Sequence, residues 1–163
     1  MNKEEILSEI EKTKEHLANM EKILEECENE RWKPKPSEEY YCVDDGNDVR
    51  RVKFNIMSAY DRDRIRTYNC FQTREQAEQE AEKILVRRQL EDIARRLNKG
   101  EEIDWYDSEQ SKYCIELYCN NIITNFYLAH KTQGTVYCLD KNFKDEAIRE
   151  IGEERLIKYL RGK

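Results

Sequence analysis

Proline and glycine are scarce, at two and five of 163 residues. Collagenous and low-complexity chains are excluded on that ground, and helices and strands have few interruptions. No run approaches the ~20 apolar residues of a membrane-spanning helix. Asn2-Lys3-Glu4-Glu5 opens the chain with no apolar leader core, so no secretory signal and no membrane partner are expected. Histidine is limited to His16 and His130. No CxxC occurs, and the closest cysteines are Cys114 and Cys119, whereas zinc sites use pairs about two to four residues apart. P-loop, dinucleotide-binding, nucleophile-elbow, zincin and kinase signatures are all missing. No catalytic residue, metal or cofactor is therefore nominated, and the chain reads as a non-enzyme.

Charge, by contrast, is abundant: 29 Lys and Arg against 35 Asp and Glu, a net −6. Residues 1–31 hold five basic and ten acidic side chains, so nearly all of the net acidity sits there. This segment contains no Gly or Pro, and Asn2 with Glu5 has the spacing of a capping box. Ile10, Leu17 and Leu24 recur every seven positions, and Ile6, Met20 and Cys27 form the partner row, with Thr13 in its gap. That is an a/d seam on an otherwise charged helix. Three uses are open: packing on the chain's own body, self-association into a homo-oligomer, or capture of another protein's helix. Trp32, Pro34 and Pro36 stop the helix, and residues 32–38 read as an extended linker.

The body, residues 39–163, reads as one compact domain of two βββα units, 39–100 and 101–163. Glu39 to Val43 alternates, Asp44-Asp45-Gly46-Asn47 supplies a turn, and Val49 to Ile56 returns as a second strand. Residues 58–66 are polar and read as a long connection, followed by a short third strand over 67–71. Thr73 with Gln76 caps a helix over 74–98 whose stripe is Ala77, Ala81, Ile84, Leu85, Leu90, Ile93 and Leu97. The second unit repeats the plan with strands near 113–119, 122–129 and 135–139. A helix carrying Phe143, Ala147, Ile148 and Ile151 follows, interrupted at Gly152. Tyr41-Cys42 and Tyr113-Cys114 occupy corresponding places, as do Cys70-Phe71 and Cys138-Leu139. The expected fold class is therefore α+β: an N-terminal heptad-patterned helix followed by a duplicated βββα unit with antiparallel sheets. The strand cysteines are expected to be packing residues.

Two segments carry interaction chemistry. Trp105 and Tyr106 lie between Asp104 and Asp107, where Trp105 either plugs the core edge or anchors a partner. Residues 50–74 carry Arg50, Arg51, Lys53, Arg62, Arg64, Arg66 and Arg74 against Asp61 and Asp63, with Tyr60 and Tyr68 interleaved. Arg with stackable aromatics suits phosphate and unpaired bases, so nucleic acid or a phosphorylated ligand is the alternative partner class. The first choice is protein binding through Trp105, Tyr106, Tyr60, Arg62, Arg64 and Arg66, because Tyr, Trp and Arg dominate interface hot spots. An enzyme would need Asp61, Asp63, Asp104 and Asp107 to converge in a cleft.

The motifs Trp32-Lys33-Pro34, Tyr40-Tyr41 with Asp45-Gly46, Asn69-Cys70-Phe71 with Thr73-Arg74-Glu75, Ile103-Asp104-Trp105 and Ile151-Gly152-Glu153-Glu154-Arg155-Leu156 share a further property. Together they resemble small proteins encoded by phages and prophages of low-GC Gram-positive bacteria. The likeness runs from Trp32 to Tyr159 and transfers no catalytic residue. It implies context, a dispensable accessory protein in a bacterial cytoplasm of a kind often structural, regulatory or inhibitory toward host defence. In that setting the expected partner is a host protein, such as a CRISPR or restriction effector.

The seam makes a direct prediction. Light scattering is expected to show a larger assembly for the full chain than for a chain beginning at residue 36. Two monomers would assign the seam to intrachain packing.

Overall fold

The computed structural model describes Thr13, Lys14 and residues 32–162. Thr13 and Lys14 are helical and exposed. The seam residues Ile6, Ile10, Leu17, Met20, Leu24 and Cys27 lie outside the described residues, as do Asn2 and Glu5.

The described chain is α+β. Strands β1 (Glu39–Val43) and β2 (Val49–Lys53) form one antiparallel hairpin, and β3 (Lys112–Tyr118) and β4 (Asn121–Tyr127) form another. The two hairpins remain separate sheets. Between them in sequence come helices α1 (Ala59–Arg66) and α2 (Arg74–Leu97), and α3 (Phe143–Ile151) and α4 (Glu153–Arg161) close the chain.

The first hairpin follows from its alternation. Tyr40 and Cys42 point inward and are fully buried, with Phe54 and Cys70 beside them and Trp32, Val52 and Ile65 at the margin. Asp44 closes the turn by accepting the Asp48 N–H on its side chain (2.9 Å), and Asn47 adopts φ 71°. Residues 32–38, expected as an extended linker, instead turn back onto the hairpin. Ser37 N donates to Phe54 O (3.0 Å), Glu38 N to Lys35 O (2.9 Å), and Pro34 is buried.

Two expectations need correction. Residues 59–66 are not a connection but helix α1. The expected third strands, over 67–71 and 135–139, shrink to single antiparallel bridges, Tyr41 with Phe71 and Tyr113 with Cys138. Each bridge exchanges two backbone hydrogen bonds of 2.7–2.9 Å. A few β-prone residues beside a helix start suffice for a bridge, but not for a ladder.

Helix α2 begins with the expected capping box between Thr73 and Gln76. Its buried residues are Ala77, Ala81, Val86, Leu90, Ile93 and Ala94, while Leu85 is 39% exposed. The expected stripe thus erred by one residue at its centre. The reason is that α2 serves two cores: its first turns face β1 and β2, and its later turns face α3 and α4, which cover the second hairpin. Asn47 Nδ2 donates to Ala81 O (2.9 Å) on the first side. On the second side the C-cap residue Asn98 accepts the Leu139 N–H (2.8 Å) on its side chain. The larger core gathers Val86, Leu90, Ile93, Ile115, Phe143 and Leu156. Gly152, at φ 93°, breaks α3 from α4 in a conformation that a residue with a Cβ resists.

The placement of α2 is testable by urea unfolding. Leu90→Ala is expected to cost about 2–5 kcal/mol. Leu85→Ala, one face away, should stay within about 1 kcal/mol.

Candidate interaction surface

Helix α1 is held by a carboxylate. Its only fully buried residue is Asp61, 3% exposed. An ionised group is tolerated there only if its oxygens are matched. Tyr40 Oη donates to Asp61 Oδ1 (2.7 Å), and Arg64 donates to the same oxygen (3.2 Å). The Asn55 backbone N–H donates to Asp61 Oδ2 (2.8 Å). Arg64 also donates to Tyr40 Oη (3.2 Å), which closes a three-membered network under the helix. Ser58, the N-cap, accepts the Asp61 N–H (3.3 Å). Burial, and then the hydrogen bond to Asp61, push the Tyr40 phenol well above its ordinary value, so it remains a donor.

The outward side is apolar. Ile56 is 57% exposed, and Met57 and Tyr60 are each 79% exposed. Their loop is ordered by Asn55, whose side chain accepts the Met57 N–H (3.0 Å) and whose carbonyl accepts the Ser58 N–H (2.9 Å). At the other end Tyr68 N donates to Ile65 O and Asn69 N to Arg64 O, the double bond of a Schellman closure. The left-handed position in that closure normally belongs to glycine. Here Tyr68 occupies it at φ 67°, at a cost of about 1–2 kcal/mol, with its ring 71% exposed. Ordinary amphipathic helices bury their apolar residues and expose their charges. Helix α1 departs from that pattern at two positions, with Asp61 buried and Tyr60 exposed, while Arg62, Asp63 and Arg66 face solvent and Ile65 packs on the first core.

The residues nominated from sequence divide. Tyr60 and Arg62 lie on this surface, and Arg62 makes no ion pair among the described residues. Arg64 is committed inward to Asp61 and Tyr40. Arg66 pairs with Asp63 (2.6 Å). Trp105 sits on the other hairpin, half-buried and edge-on to Tyr137 at 4.9 Å. Lys112 Nζ and Lys131 Nζ lie 5.8 and 5.7 Å from its ring. Lys112 is fully buried, and its ammonium donates to Asp107 O (2.5 Å) and Leu128 O (2.7 Å), fastening the Trp105 loop down. Trp105 is thus half-buried against Tyr137 and the two lysines, while its neighbour Tyr106 is 99% exposed. Sequence reasoning missed Ile56, Met57 and Tyr68 as surface residues. The available signal was an apolar pair inside a stretch too polar to need one.

The basic segment is largely neutralised. Arg50 pairs with Asp44, Arg51 with Glu39, Arg64 with Asp61, Arg66 with Asp63 and Arg74 with Glu78. The four candidate acids do not converge. Asp61 is enclosed, Asp63 faces Arg66, and Asp104 and Asp107 accept the N–H groups of Tyr106 and Glu109 in local turns. Among the described residues no group of three or more His, Cys, Asp or Glu is placed to hold a metal, and no helix is long and apolar enough to cross a membrane. Burial pushes the Cys42 and Cys138 thiols up, as suits packing residues.

In comparisons with protein-family models, curated proteins and solved structures, nothing matched the chain.

Tyr40→Phe leaves a buried carboxylate short of a donor and is expected to cost about 1–3 kcal/mol. The native fold favours the protonated phenol. Tyr40 therefore contributes stability below the ordinary tyrosine value of 10.0 that is lost as pH rises above it. Unfolding measured from pH 7 to 11 should show that alkaline loss shrinking in Tyr40→Phe. It should not vanish, because burial raises Tyr159 as well and a hydrogen bond to Glu116 raises Tyr127.

Proposed function

We propose that this chain is a non-enzymatic interaction protein that presents helix α1 and its entry loop to a protein partner. The observation that carries the proposal is the patch at the start of α1, where Ile56, Met57 and Tyr60 are exposed while Asp61 is buried. Folding alone favours the opposite arrangement, because burying the charge is costly and leaving apolar area in water forgoes about 25 cal/mol per Å². A partner that covers the patch recovers that area.

The partner class follows from the charge. Five of the seven cations of the basic segment are already paired within the chain. Phosphate binding draws on free Lys and Arg. An apolar and aromatic patch flanked by Arg62 suits a protein surface with an apolar pocket and an acidic rim. The resemblance to phage and prophage proteins supplies the setting: a bacterial cytoplasm, a host protein as partner, and inhibition of a defence effector as the purpose. The seam over residues 6–27 supports self-association as the means of presenting more than one copy. The reading also includes an internal duplication, supported by the matching places of Cys42 and Cys114 and by one bridge at each hairpin. Helix α1 would then be an addition to the first unit alone.

Affinity capture from host lysate tests the proposal. Tyr60→Ala and Met57→Ser are each expected to weaken the captured partner's binding at least about tenfold, as hot-spot truncations do. Their unfolding free energies should stay within about 0.5 kcal/mol of the unaltered chain. Arg66→Ala, already paired internally, serves as the control. Capture that survives both patch substitutions would reject α1 as the contact surface.

A further inference from the structure

The outer edge of β4 presents a second surface. The bridge at Tyr113 shows which groups it exposes. Tyr113 sends both its N–H and its C=O to Cys138, at 2.7 and 2.8 Å, and so turns them away from β4. Its partner in the β3–β4 register is Phe126, which must likewise point away from β3. Alternation gives Thr124 and Ile122 the same direction. Among the described residues no backbone hydrogen bond outside the hairpin ladder reaches Ile122, Thr124 or Phe126. The Phe126 N–H is held only by the side chain of its neighbour Asn125 (2.9 Å).

The edge is unprotected in other respects. Residues 117–130 contain no Lys, Arg, Asp or Glu, in a chain where 39% of residues are charged. Strand β4 contains no proline and pairs with β3 without a bulge. Proteins usually guard edges with charge, proline or a bulge. The first hairpin does so: its β2 edge carries Arg50, Arg51 and Lys53. Thr124 and Phe126, at the middle of β4, are exposed.

We infer that β4 pairs antiparallel with β4 of a second copy about a two-fold axis at Thr124. The strand matches itself in that arrangement. Thr124 meets Thr124 of the second copy, and Ile122 meets Phe126 of the second copy on both sides of the axis. Each of these pairs exchanges two backbone bonds. The side-chain pairs are aliphatic–aromatic, a favourable cross-strand combination, and no like charges meet. The Asn125 cap on the Phe126 N–H is replaced by a backbone carbonyl. Two separate hairpins then become one four-stranded sheet in the order β3, β4, β4, β3. This contact does not involve the N-terminal seam or α1.

Sedimentation of the full chain tests the inference. The unaltered protein is expected to dimerise, and Thr124→Lys, which sets two ammonium groups against each other, to raise the dimer dissociation constant at least about tenfold. Leu17→Glu, in the seam, should leave this contact in place. Thr124→Cys in a Cys119→Ser background should form a disulfide-linked dimer under mild oxidation, because the axial Cα atoms would sit at about the 5.5 Å that disulfides favour. That cross-link decides the matter if the lysine variant fails to fold. A monomer at all concentrations overturns the inference. So does a dimer that Leu17→Glu abolishes and Thr124→Lys leaves intact, or capture of an unrelated partner at β4 without any dimer.

Discussion

A two-stranded hairpin is marginal in water, because one face of so small a sheet cannot enclose a core. This chain contains two such hairpins that do not pair with each other. Both depend on a single 24-residue helix, α2, which packs directly against the first hairpin and against α3 and α4, the helices that cover the second. Its alanines, Ala77 and Ala81, let the first hairpin approach closely. Its larger residues, Val86, Leu90 and Ile93, fill the wider space beneath α3 and α4. An asparagine registers each side: Asn47 holds an α2 carbonyl of the first half, and Asn98 receives the strand that bridges Tyr113. Ion pairs from Arg96 to Glu150 and from Arg155 to Glu82 add little by comparison, being exposed or half-exposed.

With the cores arranged around α2, the parts not needed for packing are free to face outward. Helix α1 is the clearest case. It contributes one partly buried aliphatic residue, Ile65, to the first core and is otherwise fixed by the hydrogen bonds of Asp61. A hydrogen-bonded anchor is directional, so it can set a helix in place without using its apolar face. That patch, Ile56, Met57 and Tyr60, is thereby left exposed. Strand β4 illustrates the same economy in the second half: its inner face feeds the core through Ile122, while among the described residues its outer edge has no backbone partner.

The sequence was most legible where one side chain served one purpose. Thr73 and Gln76 announced the start of α2, because the reciprocal cap is a local structure. The strict alternation of Tyr113, Ile115 and Leu117 announced β3. The cysteines at 42, 70, 114 and 138 were read as packing residues, and all four are buried. Legibility failed where a residue's role came from distant parts of the chain. Helix α1 has no apolar stripe to reveal it, since its anchor is Tyr40, 21 positions earlier than Asp61. Trp105 was read both as plug and as anchor, and its surroundings come from Lys112 and Lys131, whose ammonium groups lie over its ring, and not from its neighbours in sequence.

The sequence by itself determined the mixed α+β class, the two hairpins, the helix start at Thr73 and the break at Gly152. These follow from periodicity, capping and composition, which act over a few residues. Only the tertiary structure decided that α2 faces two cores, that Asp61 goes inward while Met57 and Tyr60 go outward, and that β4 keeps a bare edge. Those outcomes depend on which surfaces meet after the chain has folded back across tens of residues, and no local pattern encodes the meeting.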